Sequence, residues 1–501
     1  MSSPPASAAP DPRTASAPSA GSTAYLVLIC LVAAFSGLLF GFDTGVISGA
    51  VGMLREQFGL SEGLEGVTVT AVLVGCLLGV SLAGPLSDRF GRKIALLLSA
   101  VLFVFLATAA ALTPSAPSWY TQVTAWVVQW AFGQEPAPEI AGLISARLIG
   151  GMGIGVASML APLYVAEIAP PQLRGRLIAL YQFAITVGIL VTYFSNALLA
   201  GVAAQAASWF DQGWWRQMFG VEVWRGMFLV GVVPAVVFLL LLLWVPESPR
   251  WLTKQGQEAR AEATLARFAG PEQAAREMIE IRQTIAQESG SLGQLFRPGM
   301  RVRLLIGLLL PFFSQIVGIN AIIYYGPRII EAAGWGRHDA LSTQVLFGMV
   351  NVVFTLVAIW KVDQLGRRPL LLAGIAGTGL AMALCGLLFY LGMGKSPLLV
   401  ALCAVYLACF SFSYGPVCWI IVSEIFPTRI RGRAVALSIF SLWTGCILVS
   451  LTFPWLLKNV EPAKTFWLYA LTAPAAFAFV YYLVPETKGR TLEQIEARFA
   501  H

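Results

Sequence analysis

Apolar runs long enough to cross a lipid bilayer recur about twelve times along this chain, and that feature leaves few folds open to it. A helix rises about 1.5 Å per residue, so about 20 apolar residues span a hydrocarbon layer roughly 30 Å thick. Phe228 to Val245 is such a run, interrupted only by small residues. Candidate spans fall at about 24–50, 67–87, 94–112, 140–168, 175–199 and 224–245. They resume at about 303–332, 342–362, 369–391, 397–426, 432–457 and 463–484. The expected fold is an all-α membrane protein of twelve transmembrane helices.

Composition agrees. Of 501 residues 57% are hydrophobic and 12% charged, about half the charged share of a soluble domain. The net charge of +7 does not mark a nucleic-acid binder, because Lys and Arg gather in segments on one side of the spans. That side holds both termini and the long central stretch, which places all three in the cytoplasm of a multi-pass cell-membrane protein. The seven cysteines lie inside predicted spans without metal-ligand spacing and read as small packing residues. Residues 1–23 have the Ala/Ser/Pro composition of a disordered tail and lack the charged start and cleavage site of a signal peptide.

The chain reads as two copies of one plan. Asp88-Arg89-Phe90-Gly91-Arg92-Lys93 follows the second span, and Asp363-Gln364-Leu365-Gly366-Arg367-Arg368 follows the eighth. Glu167 with Arg174-Gly175-Arg176 closes the fourth, and Glu424 with Arg431-Gly432-Arg433 the tenth. Pro246-Glu247-Ser248 ends the sixth, and Pro485-Glu486-Thr487 the twelfth. Six-helix bundles over 24–245 and 303–484 are therefore expected, related by a pseudo-two-fold, with a cytoplasmic linker at 246–302 and a tail at 485–501. In the linker Ala274, Met278, Ile281 and Ile285 repeat at helical spacing, which suggests an amphipathic helix on the membrane surface. A substrate would sit between the halves near the midplane.

These motifs, with Pro246 to Leu252 and Pro485 to Gly489, resemble the sugar porter family of the major facilitator superfamily, from about Tyr25 to Glu493. The resemblance implies alternating access by rocking of two halves around a sugar or polyol.

Two ionisable residues lie where none is cheap. Asp43 is inside the first span and Arg147 inside the fourth, and a charge at that depth costs at least about 2.5 kcal/mol. Their opposite signs suggest a pair. Gly41, Gly45 and Gly49 form a stripe for a close-packed neighbour, and Asp43 points roughly 200° away from it, toward a cavity. The pair is either a static tie or a proton switch in which protonated Asp43 releases Arg147. The resemblance favours the switch, because proton-linked sugar symporters of bacteria carry Asp here and facilitative glucose transporters Asn. The proton would be the coupling ion, with no other cofactor.

A sugar needs groups that donate and accept, plus an aromatic platform. The spans offer Gln182, Gln315, Asn320, Tyr324 and Asn351, with Phe40, Trp419 and Trp443. Gln315 and Asn320 are about 140° apart on an ideal helix and can share one cavity only if it breaks, for which Pro311, Gly318 and Pro327 give cause. Gly415-Pro416 would break the tenth span similarly. The bland alternative for each amide is a helix-to-helix hydrogen bond. The resemblance places Gln182, Gln315, Asn320, Asn351 and Trp419 at sugar-binding positions. Ser314, Leu442 and Ile189 depart from common family residues, which leaves hexose, pentose and cyclic polyol open.

The acid and arginine clusters form an expected cytoplasmic gate. Asp88, Glu167 and Glu247 would pair with Arg92, Arg174 and Arg250, and Asp363, Glu424 and Glu486 with Arg367 and Arg431. Catalytic and metal roles find no support, the two histidines being His338 and His501. Competing readings are a passive uniporter and a non-transporting sugar sensor. A monomer in the lipid bilayer is expected.

Overall fold

The computed structural model describes residues 20–113, 136–169, 171–209, 213–287, 292–427 and 430–489, with six further residues between 122 and 130. Residues 1–19 of the expected disordered tail and most of the tail at 485–501 lie outside them, as does the side chain of Arg174, while residues 20–23 are already helical. Twelve helices among the described residues are long and apolar enough to span a membrane. We label them α1 (Ala24–Phe58), α2 (Glu62–Phe90), α3 (Arg92–Leu112), α4 (Pro138–Ile168), α5 (Gly175–Ala203) and α6 (Val223–Leu243). The second six are α7 (Arg301–Ala332), α8 (Arg337–Leu365), α9 (Arg367–Tyr390), α10 (Pro397–Ile425), α11 (Arg431–Asn459) and α12 (Pro462–Leu483). Several outrun their apolar stretch: α1 continues to Phe58 and α2 starts at Glu62, carrying charged turns beyond the oil.

The pseudo-two-fold shows in the packing. Within the halves α1 lies on α5 and, correspondingly, α7 on α11; between them α2 lies on α11 and α8 on α5. Interruptions repeat as well. Both α6 and α12 break, at Gly231 and Leu471, three residues before Pro234 and Pro474. Each proline lacks the N–H that would bond the carbonyl four residues back, so the helix parts there. A left-handed backbone at Gly318 (φ +96°) splits α7 into Arg301–Ile316 and Ile319–Ala332. Ser413 splits α10 into Pro397–Phe412 and Tyr414–Ile425. Both breaks fall where the Pro and Gly positions indicate.

The glycine stripe of α1 meets α5. A Cβ at Gly45 would come 2.7 Å from Cβ of Thr192, and one at Gly41 would collide with the Ile185 carbonyl. A main-chain atom cannot swing aside, so Gly41→Ala is expected to cost roughly 3 kcal/mol. Gly52→Ala on the same helix meets only Glu331, at 4.0 Å, and should melt like wild type in a detergent thermal-shift assay.

The linker differs from expectation. Its helices Pro249–Lys254, Glu258–Ala269 and Pro271–Gln287 bury Ala274 and Met278 against Leu252, Ala261 and Leu265, with Ile281 packed alongside. Three of the four stripe residues are taken up by neighbouring helices, Ile285 being half-buried outside that cluster, and Phe268 stacks on Tyr25 of α1 at 5.6 Å. The result is a small helical cap on the first half. We call this side of the molecule the linker side and the opposite one the far side.

Candidate functional site

Asp43 and Arg147 meet. Nη1 of Arg147 donates to Oδ1 of Asp43 at 3.2 Å, with side-chain exposures of 0% and 8%. Arg147 Nε donates to the Thr68 carbonyl at 3.2 Å, and its guanidinium lies 5.9 Å from the Phe228 ring centre. Its Nη2 has no hydrogen-bond partner. One carboxylate thus carries most of the compensation for a fully buried cation, and neutralising it would leave Arg147 a single main-chain acceptor.

The second half faces this pair with polar groups. The break at Gly318 lets Asn320 Nδ2 donate to Gln315 Oε1 at 2.8 Å, while Gln315 Nε2 donates to Ser314 Oγ at 2.9 Å. Cys446 joins them, donating to Gln315 Oε1 at 3.1 Å and accepting from Asn320 Nδ2 at 3.2 Å. For Cys446 the packing-only reading is therefore too narrow, since the neighbours of a cysteine decide its role. Phe40 and Trp443 face each other across the halves, ring centres 5.5 Å apart, and the Trp443 indole N–H is buried without an acceptor. Gln182 on α5 and half-buried Trp419 on α10 flank Gly415, two residues past the break at Ser413; an added Cβ at Gly415 would lie 3.8 Å from Gln182 Nε2. Tyr324 is buried where α7 packs on α1. Asn351 takes a bond from Ser411 Oγ at 2.8 Å, the helix-to-helix tie that was the bland alternative for it.

On the linker side the repeated motifs build matching clusters. Arg92 holds Glu167 through two bonds of 3.0 Å and Asp88 at 3.3 Å. Arg367 reaches Asp363 at 3.0 Å and Glu424 at 3.3 Å. The expected partners of Glu247 and Glu486 need correction: both are held by the main chain. Glu247 accepts from the N–H groups of Arg92 (2.9 Å), Lys93 (3.1 Å) and Ser248 (2.8 Å). Glu486 accepts from those of Arg367 (3.1 Å), Arg368 (3.0 Å) and Lys488 (2.8 Å). Each carboxylate thereby caps the start of α3 or α9, whose free N–H groups attract anions, and an added Cβ at Gly91 or Gly366 would strike it. Arg431 donates to the Phe426 carbonyl at 3.2 Å, and Arg250 is half-buried at the start of its linker helix.

The two caps differ in acidity. Burial pushes Glu247 above the ordinary carboxylate range. Burial also raises Glu486, but the N–H groups of Lys488, Arg367 and Arg368 outweigh it and hold that residue below the range. A lowered folded pKa contributes stability above the unfolded value, about 4.5, that is lost as pH falls through the folded pKa. A raised one contributes the reverse. Glu486→Gln should therefore lower the melting temperature at pH 7 more than Glu247→Gln, with the gap closing on acidification below the carboxylate range.

A third cluster, on the far side, has no counterpart among the residues expected from sequence. Glu65, with no exposed side-chain surface, accepts from Arg328 Nη1 at 3.1 Å and lies 3.9 Å from Arg55. Glu62 pairs with Lys458 at 2.7 Å and Arg55 at 3.4 Å, and Glu56 with Arg337. Arg328, Arg337 and Lys458 belong to the second half and the acids to the first. A neutral bond joins them: Pro327 frees the Ile323 carbonyl, which accepts from Tyr193 of α5 at 2.8 Å. The molecule is thus in a state closed on the far side. At the linker ends, side chains added to Gly175 of α5 and Gly432 of α11 would meet nothing within 4 Å.

Comparison with known proteins agrees with this architecture. The family described as sugar (and other) transporter matches residues 29–499. The arabinose-proton symporter of Bacillus subtilis is 38% identical over 477 residues, 95% of each chain. The D-xylose-proton symporter of Escherichia coli K12 is 38% identical over 491 residues, 95% of this chain and 96% of its own. A solved structure of the major facilitator superfamily proton:xylose symporter bound to 6-bromo-6-deoxy-D-glucose superposes with a TM-score of 0.77 at 36% identity, covering 95% of this chain and all of the other. An inward-open structure of the E. coli xylose transporter gives 0.76 at 35% identity, with the same coverage. With twelve spans and these relatives, this is a multi-pass plasma-membrane protein, and the chain belongs to the sugar transporter family of the major facilitator superfamily.

Proposed function

We propose that this protein takes up a monosaccharide, pentose or hexose, together with a proton, by alternating access, as a monomer with both termini and the linker in the cytoplasm. The observation that carries the proposal is the buried Asp43–Arg147 pair beside the amide and aromatic groups between the halves. A proton arriving on Asp43 would remove the compensating charge of Arg147 and change which closure of the cavity is favoured. The relatives named for arabinose-proton and xylose-proton symport support the same reading. Asn320, Gln315, Gln182 and Asn351 would bind hydroxyls, with Phe40, Tyr324, Trp419 and Trp443 enclosing the ring. The linker-side clusters would act as a gate by tying each half into a unit that moves whole; the proton is the only coupling group required. In a weakly buffered cell suspension, adding the transported sugar should make the medium more alkaline. Counterflow of labelled sugar with no pH change would leave a uniporter instead.

A further inference from the structure

Gln344 takes no part in the arrangement so far. It is 1% exposed, and neither the nitrogen nor the oxygen of its amide has a hydrogen-bond partner. A primary amide brings two donors and an acceptor, and stranding both ends in a membrane interior is costly. An amide kept for helix packing would be bonded in this closed state, as Asn351 is to Ser411.

Its placement suggests another use. Gln344 and Asn351 are seven residues apart on α8, about 20° apart around the helix, so they share one stripe with Gly348 between them. At Gly348 that stripe faces the other half, where an added Cβ would come 3.0 Å from Leu190 and 3.2 Å from Tyr193 of α5, while the Gln344 amide itself lies against Gly326 of α7. Ile189 and Tyr193 of α5 line the same narrow gap as Gln344 and Asn351. Along the axis Gln344 lies about 10 Å nearer the far side than Asn351. When the far side opens, α5 leaves α8 and the stripe becomes a wall of the outward vestibule.

We propose that Gln344 is a sugar-contacting residue of the outward-open state, the amide that a monosaccharide meets before it reaches Asn351, and that the contact is lost once α5 closes on α8. The inference rests on the alternating-access reading above. In Gln344→Leu the half-saturation concentration for uptake should rise about five- to tenfold, the worth of one or two hydrogen bonds. The substrate is whichever of labelled D-xylose, L-arabinose and D-glucose the wild type carries. Efflux from preloaded vesicles should keep its half-saturation within about twofold, and the melting temperature should not fall, because an unpaired amide has been removed. A packing role would lower the melting temperature and weaken both directions alike, which would overturn the proposal. A second arm needs no substrate: Gln344→Cys should react with a membrane-impermeant maleimide from the far side. Failure to label from that side also overturns the proposal, even if transport itself is intact. Absence of all sugar movement in the wild type, with labelling present, would count against the transport reading and not against the outward exposure of Gln344.

Discussion

Asp43→Asn is expected to reduce sugar accumulation to equilibration while counterflow continues. Asparagine copies the shape of a protonated aspartic acid and cannot exchange a proton at any working pH. The variant would thus be held in the state that the proton normally creates, with Arg147 left to the Thr68 carbonyl and the Phe228 face. Sugar could still cross in exchange, because the amide and aromatic groups between the halves are untouched. What disappears is the link to the pH gradient, where each unit is worth about 1.4 kcal/mol, a tenfold accumulation. The measurement is the ratio of internal to external labelled sugar in energised vesicles, beside counterflow in the same preparation. Retention of uphill uptake would remove Asp43 from the coupling step. Loss of both activities would point to a structural tie.

What the sequence makes legible follows from how local the cause is. The breaks in α7 and α10 are written in Gly318 and Gly415-Pro416, because glycine conformation and a missing proline N–H act within one turn. The Asp43–Arg147 pair is legible over a separation of 104 residues, because two opposite charges deep in hydrocarbon have few other options. Glu65 and Arg328, 263 residues apart, gave no such signal. They sit near span ends, where a charge normally faces water, and only the approach of the two halves buries them. Cys446 is similar: a thiol reads as small and apolar until Gln315 and Asn320 are placed beside it. The linker stripe was legible as amphipathic, but its partner was not, since lipid and a neighbouring helix satisfy the same pattern.

Arg328→Gln is expected to move the conformational equilibrium toward the state open on the far side by more than a hundredfold. The closed far side buries Glu65 completely, with Arg328 at 3.1 Å as its close partner, Arg55 at 3.9 Å, and Oε1 unpaired. Removing one partner of a buried pair costs about 3–5 kcal/mol, most of it the desolvated charge left behind. That cost falls on the closed state alone, because opening returns Glu65 to water. A difference of about 3 kcal/mol between two states exceeds a hundredfold in population. Spin labels on the α1–α2 and α9–α10 loops should report the longer distance in the variant without any sugar present. The double variant Glu65→Gln with Arg328→Gln separates pairing from lost contact area. With both charges gone there is no stranded carboxylate, so the closed state should regain most of its population. If the single variant leaves the distance distribution unchanged, the pair does not hold the far side shut. If the double variant opens as far as the single, what Arg328 supplies is contact and not charge, and the other ion pairs of the cluster carry the closure.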